Sequence, residues 1–230
     1  MFDLKIWLKQ EKNGLKSDFY SYPKRKLLFL FLVVAVLFQF FFKLWSATSF
    51  ESVVFWDSLI VNQIKQIRNP FLDNFFLAVT RLGSIYFITV AFLILTFFLV
   101  RKRMRKAAIS VFLTLVGSAV LIYLFKNIFG RSRPFECQFS KDCFSFPSGH
   151  ATIAFYFYGM LFNLTTRFVK LRKRYVWLLG AFFVFLIFLV SLSRLYLGYH
   201  FLTDILGGFL LGGVFLLLVA ILIDFLYQPQ

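Results

Sequence analysis

Two histidines and one carboxylate have the residue types and the spacing for covalent phosphoryl chemistry. His150 and His200 are the only histidines in the chain, and Asp204 follows His200 by four residues. Residues four apart share one face of a helix, so the carboxylate can fix the tautomer of the imidazole and leave its other nitrogen free to attack. His150 is then available to protonate the leaving alkoxide. We therefore predict His200 as the nucleophile, Asp204 as its orienting residue and His150 as the general acid.

Three cationic residues and a predicted helix N-terminus lie close in the sequence to these three residues or to the same ends of the apolar segments. Lys126, Arg133 and Arg194 each fall at or near the end of an apolar segment, where a charge is costly and is usually functional. The planar fork of arginine matches phosphate oxygens. Ser148 and the backbone amides around Gly149 are at a predicted helix N-terminus, which attracts anions, and glycine permits close approach. The set predicts a pocket for a multiply charged oxyanion that requires no metal and no other cofactor.

The composition indicates that these residues belong to a membrane protein. The chain has 230 residues, of which 60% are hydrophobic and 16% are charged, and 36 are phenylalanine. Soluble globular domains average about 45–50% apolar and about 25% charged residues. A soluble fold of this size could not bury so much apolar surface, so lipid must surround most of it. The net charge of +16 comes from basic clusters between apolar segments, which indicates membrane anchoring and not nucleic-acid binding.

Six apolar segments are long enough to cross a hydrocarbon core about 30 Å thick as helices. We therefore predict an all-α, polytopic bundle of six transmembrane helices in one domain over residues 27–226, preceded by a basic segment at 1–26. The predicted spans are residues 27–45, 82–100, 107–125, 151–168, 175–192 and 205–223. The glycines of the last span are predicted to let neighbouring helices pack closely.

The segment between the first two spans, residues 46–84, is predicted to contain an amphipathic helix at the membrane surface. Its apolar residues recur at helical spacing, at positions 56, 59, 60, 64 and 67. Asn69-Pro70 should end this helix, and residues 71–79 are too few to span a bilayer. Asp57 falls on the polar face, so we expect Asp57 and Asp73 to be solvated or to cap helices.

Basic residues give the expected orientation. Seven Lys and Arg residues precede the first span, and five occupy each of the loops 101–106 and 167–174. With six spans, these regions share one side, which the positive-inside rule assigns to the cytoplasm together with both termini. The predicted site then lies at the opposite face. Cys137 and Cys143 fall there as well, where a disulfide is a hypothesis, and we interpret Arg131 and Lys141 as interfacial anchors.

Three motifs carry a resemblance to a known family. Residues 126–134 match K-x-x-x-x-x-x-R-P, residues 147–150 match P-S-G-H, and residues 193–204 match S-R-x-x-x-x-x-H-x-x-x-D. In this order they resemble the motifs of the type 2 phosphatidic acid phosphatase superfamily, and the compact chain looks like its bacterial, inner-membrane members. The resemblance implies six membrane helices, a site near the outer leaflet and a phosphohistidine at His200. It also implies that phosphate is held by Lys126, Arg133, Ser148, Gly149 and Arg194.

Three functions are compatible with these features. The leading one is metal-independent dephosphorylation of a membrane lipid. The resemblance suggests phosphatidylglycerophosphate, phosphatidic acid, undecaprenyl pyrophosphate or a lipid A phosphate as substrate. The alternative is a phosphotransferase, which passes the phosphoryl group to another lipid instead of to water. A non-catalytic protein that binds or transports phospholipid ranks last, because every motif residue is present. The sequence predicts neither the headgroup nor the oligomeric state.

Overall fold

The computed structural model describes residues 24–134 and 144–226, and within these two stretches the fold is all-helical. An isolated antiparallel β-bridge joins Ser132 to Phe144 within these residues. Most of the predicted basic segment at 1–26 lies outside the described residues. The helices are α1 (Lys24–Ala47), α2 (Glu51–Ile67), α3 (Pro70–Thr80), a 3-10 turn (Arg81–Gly83), α4 (Ile85–Arg101), α5 (Arg105–Phe129), α6 (Gly149–Phe168), α7 (Lys173–Tyr196) and α8 (Leu202–Leu226).

Four of these helices, α1, α5, α7 and α8, are long and apolar enough to cross a membrane by themselves. A fifth span results if α3, its 3-10 turn and α4 are taken together as one span bent by 40°. The all-α prediction is confirmed, and a helix is present at each of the six predicted spans. Length and composition nevertheless identify four or five spans in the described chain, not six. The difference arises because α4 has only 17 residues and because α6 carries His150 and Asn163.

Large apolar side chains face outward around the bundle. Phe31 on α1, Phe97 on α4, Leu113 on α5 and Trp177 on α7 are all more than half exposed. A soluble monomer does not leave so many large apolar groups in water. Lipid is therefore the natural surrounding of these four helices.

The central contact of the fold joins α6 to α8. The two helices begin at the same end of the bundle, where the Ser148 N–H donates to the Asp204 carbonyl at 3.0 Å. A Cβ added at Gly208 would lie 2.9 Å from the Ser148 carbonyl oxygen, and one at Gly212 would lie 2.7 Å from the Thr152 carbonyl oxygen. Glycine at these positions therefore permits the close approach, as the sequence predicted. Helix α1 covers α8, while α7 packs on α6.

Helices α2 and α3 occupy the segment between the first two long apolar helices. As predicted, the chain breaks at Asn69-Pro70, where the Asn69 side chain accepts from the Leu72 N–H and Pro70 starts α3. The inward side of α2 includes a residue from the polar face inferred from the sequence. Asp57 is buried, with 2% exposure, whereas Trp56 is 61% exposed. Of the two expectations for Asp57, solvation was wrong, but a capping role agrees with its contact to the Thr203 N–H in the first turn of α8.

We expect Gly212→Ala to destabilise the protein and Gly213→Ala to be nearly neutral. At position 212 the new methyl group would meet backbone oxygen, which cannot move without shifting α6. At position 213 it would meet side-chain atoms no closer than 3.7 Å. A loss of roughly 2 kcal/mol, typical of overpacking, corresponds to several degrees in unfolding temperature. Thermal unfolding in detergent measures both variants, and equal unfolding temperatures would contradict the α6–α8 contact.

Candidate active site

The residues predicted to carry the chemistry converge on one cavity of about 370 Å³ at the shared end of α6 and α8. Helices α5, α6 and α7 and the loop before α8 each contribute to its wall. The predicted residues that line it are Lys126, Arg133, Gly149, His150, Arg194 and His200. Ser148 and Asp204, both fully buried, lie behind this wall and do not line the cavity. The structure thus brings six of the eight predicted residues to one space and places two behind them.

Two cations reach the cavity from the end of α5. Gly130 ends this helix in a left-handed conformation, with φ of 60°, and its N–H donates to the Lys126 carbonyl at 3.0 Å. Arg133, three residues after this turn, also lines the cavity. Lys126 Nζ donates to the Phe144 carbonyl at 2.7 Å, and Arg133 Nε approaches the same oxygen at 3.5 Å. The Phe144 carbonyl therefore holds both cations on one side of the cavity.

The N-terminus of α6 forms another part of the cavity wall. Ser148 is its N-cap, and the Ser148 hydroxyl accepts from the Ala151 N–H at 3.5 Å. Gly149 and His150 are the first two residues of the helix, so their backbone N–H groups have no partner within it. Ser148 therefore acts on the cavity through the helix that it caps. These N–H groups, which the helix itself leaves unpaired, and the helix dipole favour an anion at this wall.

His200 lies in the turn before α8 and Asp204 in the first turn of α8, so the two form a buried pair although His200 is not itself on the helix face predicted for it. Nδ1 of His200 lies 3.5 Å from Oδ2 of Asp204, and the two side chains are 2% and 0% exposed. This separation exceeds an ordinary hydrogen bond, and among the residues that the structure describes Nδ1 has no other partner. Burial lowers the pKa of His200 to about 4, although Asp204 opposes the shift. The imidazole is therefore neutral near pH 7, which is the form that can act as a nucleophile.

Arg131 and Asp57 are members of the site that the sequence interpretation missed. Arg131 donates to Asp204 Oδ1 at 2.6 Å and to Asp57 Oδ2 at 2.8 Å, so it bridges two buried carboxylates. The interpretation of Arg131 as an interfacial anchor was wrong, because its guanidinium is mostly buried against the ring of Phe201. One signal was present: Asp57 stands between Val53 and Val61 on one helical stripe. A lone carboxylate on an apolar stripe requires a buried partner.

Arg194 is held by the segment before α4. Its Nη1 donates to the Thr80 hydroxyl at 2.9 Å, and its guanidinium lies 4.3 Å from the centre of the Tyr199 ring. Nε of Arg194 is buried, and no group in the described part of the chain accepts from it. Residues 46–84, whose role the sequence did not reveal, therefore contact two of the site's arginines. Asp57 holds Arg131, and Thr80 holds Arg194.

Other sequence-based expectations concern different parts of the chain. Asp73 lies on α3, where it pairs with Arg68 at 3.1 Å in a partly exposed contact away from the site. Its expected solvation is consistent with this position. Cys137, Lys141 and Cys143 lie outside the described residues, so the disulfide stays a hypothesis.

Comparisons with known proteins agree with this arrangement. A family model described as the PAP2 superfamily matches residues 107–227, which is more than half of the chain and includes all three motifs. The chain belongs to the PAP2 superfamily. Phosphatidylglycerophosphatase B of Bacillus subtilis is 30% identical over 187 residues, covering 80% of this chain and 91% of that protein. The lipid A 4'-phosphatase of Porphyromonas gingivalis is 29% identical over 168 residues, which is 64% of each chain.

A solved PAP2 structure has the same fold. The crystal structure of a transmembrane PAP2-type phosphatidylglycerolphosphate phosphatase from Bacillus subtilis matches with a TM-score of 0.75 and 28% identity, covering 86% of this chain and 97% of that one. The family inferred from the three motifs is thus confirmed. Together with the apolar helices, the relatives identify this PAP2 chain as a multi-pass integral membrane protein and as a hydrolase of the phosphatase type.

Lowering the pH from 7 to 5 should destabilise this PAP2 protein through His200. Its folded-state pKa of about 4 lies below the ordinary value of 6.5. Between these values the unfolded chain binds a proton that the folded chain does not, so stability falls as the pH falls. One pKa unit corresponds to about 1.4 kcal/mol, so the loss between pH 6.5 and 5 is about 2 kcal/mol.

Thermal unfolding of the wild type and of His200→Asn, in the same detergent at pH 7 and pH 5, measures this contribution. We expect the unfolding temperature of His200→Asn to fall less than that of the wild type. Equal decreases in the two proteins would show that His200 is not the buried neutral group described above.

Proposed function

We propose that this protein removes phosphate from a membrane lipid phosphate or pyrophosphate through a phosphohistidine at His200. The observation that carries the proposal is the cavity in which both histidines of the chain meet three cations and the N-terminus of α6. Such a cavity favours a multiply charged anion next to a neutral nucleophile. The names of the PAP2 relatives, all lipid phosphatases, support the same chemistry.

An apolar groove beside the cavity supports a lipid substrate. The groove, about 320 Å³ in volume, lies between α4 and α5 and is lined by residues such as Phe92 and Val116. Ile85 and Ala119 line both the groove and the cavity, so the two spaces adjoin. A phosphate in the cavity would therefore leave an attached apolar chain beside the groove. A soluble phosphate ester would make no use of that surface.

The proposed reaction has two displacements. Nδ1 of His200 is directed at Asp204, which leaves Nε2 as the attacking nitrogen. Nε2 forms a bond to phosphorus as the bond to the lipid oxygen breaks, and His150, which enters this step protonated, gives that oxygen its proton. His150 then takes a proton from water, whose oxygen displaces His200 and releases inorganic phosphate.

The negative charge on the equatorial phosphate oxygens is stabilised in both steps by Lys126, Arg133 and Arg194. The backbone N–H of Gly149 adds to this stabilisation, and Ser148 supports it by capping α6.

We also propose a membrane placement that goes beyond the four or five spans identified by composition. Helices α1, α4, α5, α6, α7 and α8 all cross the bilayer in one domain over residues 27–226, while α2 and α3 lie at the outer surface. Basic residues at 1–26, 101–106 and 167–174 favour a cytoplasmic position for these segments and for both termini. In a bacterial inner membrane, the active site then faces the periplasm, at the outer leaflet.

Phosphatidylglycerophosphate is the substrate we favour among the lipid phosphates. A relative that aligns with 80% of this chain is named for that activity, and the solved structure with a TM-score of 0.75 is named for it as well. Phosphatidic acid, undecaprenyl pyrophosphate and a lipid A phosphate complete the set to be compared. All four present a phosphate on an apolar anchor, which is the combination that the cavity and the groove accommodate.

Phosphate release by the purified protein in detergent, with excess chelator throughout, tests this proposal. We expect release from at least one of the four lipids and a loss of about 10³-fold or more in His200→Ala, because a nucleophile has been removed. Asp73→Asn is the control, because Asp73, on α3, pairs with Arg68 and does not line the cavity. That variant should keep wild-type turnover within about threefold.

Two outcomes would contradict the proposal. Retained activity in His200→Ala would exclude His200 as the nucleophile. Transfer of labelled phosphate to a second lipid, without release of inorganic phosphate, would replace the hydrolase with the phosphotransferase alternative.

A further inference from the structure

A connected set of buried charged groups links α2 to the proposed nucleophile. Arg131 joins the carboxylates of Asp57 and Asp204 with bonds of 2.8 and 2.6 Å. Thr203 strengthens the link, because its hydroxyl accepts from Arg131 at 2.7 Å and its N–H donates to Asp57 at 3.2 Å. Asp57 and Arg131 do not line the cavity, so neither would touch a bound phosphate. Their contact with the chemistry runs through Asp204 to His200.

The geometry shows what this set does to Asp204. Its Oδ1 is held by Arg131, and its Oδ2 accepts from the Phe201 N–H at 2.8 Å. Both oxygens are therefore fixed, and the free side of Oδ2 points toward Nδ1 of His200. Without Arg131, the Asp204 carboxylate would keep one of these two hydrogen bonds and could rotate about its Cβ–Cγ bond. Arg131 thus determines the direction from which the imidazole meets its carboxylate.

The charge balance explains why a second carboxylate is present. A guanidinium paired with Asp204 alone would cancel much of the negative charge that faces His200. Asp57 supplies a further negative charge, so the group of two carboxylates and one guanidinium has a net charge of −1. That charge stabilises the positive charge which develops on the imidazole when Nε2 bonds to phosphorus. Asp57 also gives Arg131 a second fixed partner, which holds the guanidinium in place.

We infer that Asp57 and Arg131 are positioning residues for the reaction, acting on His200 through Asp204. The inference rests on the proposed function, since it concerns the same nucleophile. It assigns to α2 a task in the chemistry that neither the three motifs nor the cavity lining indicates. The substrate and the phosphate-binding residues are unchanged by it.

The activity test is Asp57→Asn, assayed by phosphate release from the best lipid. The amide keeps the size of the side chain and loses its charge. We expect kcat to fall about 10- to 100-fold while KM changes less than about threefold, because substrate contacts are intact. In an Asp204→Asn background the same substitution should cost less than about threefold, because its effect passes through Asp204. If the two substitutions instead lower kcat by independent factors that multiply, Asp57 has a purely structural role and the inference is overturned.

Asp73→Asn is the matched control. It removes the same charge from an arginine–aspartate pair at the neighbouring helix α3, where the partner is Arg68 and no contact within the described residues connects the pair to Asp204. Its kcat should stay near that of the wild type. If Asp57→Asn does not fold, as judged by size-exclusion chromatography, Thr203→Val replaces it: this change preserves volume and every charge but removes the hydroxyl between Arg131 and Asp57. We expect a fall in kcat of about 3- to 10-fold, again with KM retained.

A readout without turnover separates this inference from the proposed function. The chain has two histidines, so ¹⁵N-histidine NMR of the tag-free protein gives two imidazoles, and His150→Asn assigns them. We expect wild-type His200 to be the neutral tautomer with the proton on Nδ1, and Asp57→Asn or Thr203→Val to shift population to the other tautomer. An unchanged tautomer would overturn the positioning role, even if lipid hydrolysis is observed. Wild-type protein that hydrolyses no lipid would instead contradict the proposed function, and the tautomer would still decide this inference.

Discussion

The contact between the starts of α6 and α8 is the constraint on which the site depends. The Ser148 N–H bonds to the Asp204 carbonyl, and glycines on α8 let the two backbones come within van der Waals distance. This contact joins the motif around His150 to the motif around His200, although 50 residues separate them in the sequence. It also directs two helix N-termini toward the same end of the bundle, which makes that end favourable for an anion.

The balance of buried charge follows from this arrangement. On one side of His200 are Lys126, Arg133 and Arg194, which attract phosphate; on the other side is a carboxylate that needs its own cation to be buried. Arg131 is that cation, and Asp57 restores the negative charge that Arg131 would otherwise remove. The cations of the cavity are held by protein oxygens of Phe144 and Thr80. The site is therefore organised before any substrate arrives, which is how electrostatic stabilisation becomes effective.

The sequence predicted the parts of the site that follow from motifs and helix ends. His150, His200 and the three cations all fall next to apolar segments, so their convergence could be inferred from the order of the spans. Asp57 and Arg131 could not be recognised in the same way, because their importance comes from pairing across 74 positions. The burial of Asp57 could not be predicted from α2 alone, because Asp57 falls among the polar residues of that helix and its partners Arg131 and Thr203 lie far away in the sequence. The α6 helix shows a related limit: its buried polar groups lower its hydropathy, so composition alone does not count it as a span.

The central claim is that His200 becomes covalently phosphorylated, and trapping that species tests it most directly. The purified protein would be mixed with lipid substrate, quenched within one turnover in alkali, which preserves phosphohistidine, and digested for mass spectrometry. We expect one added phosphoryl group on the peptide that contains His200, and we expect it to be absent from His200→Ala. Phosphate release without any phosphorylated His200, or with the phosphoryl group on another residue, would contradict it.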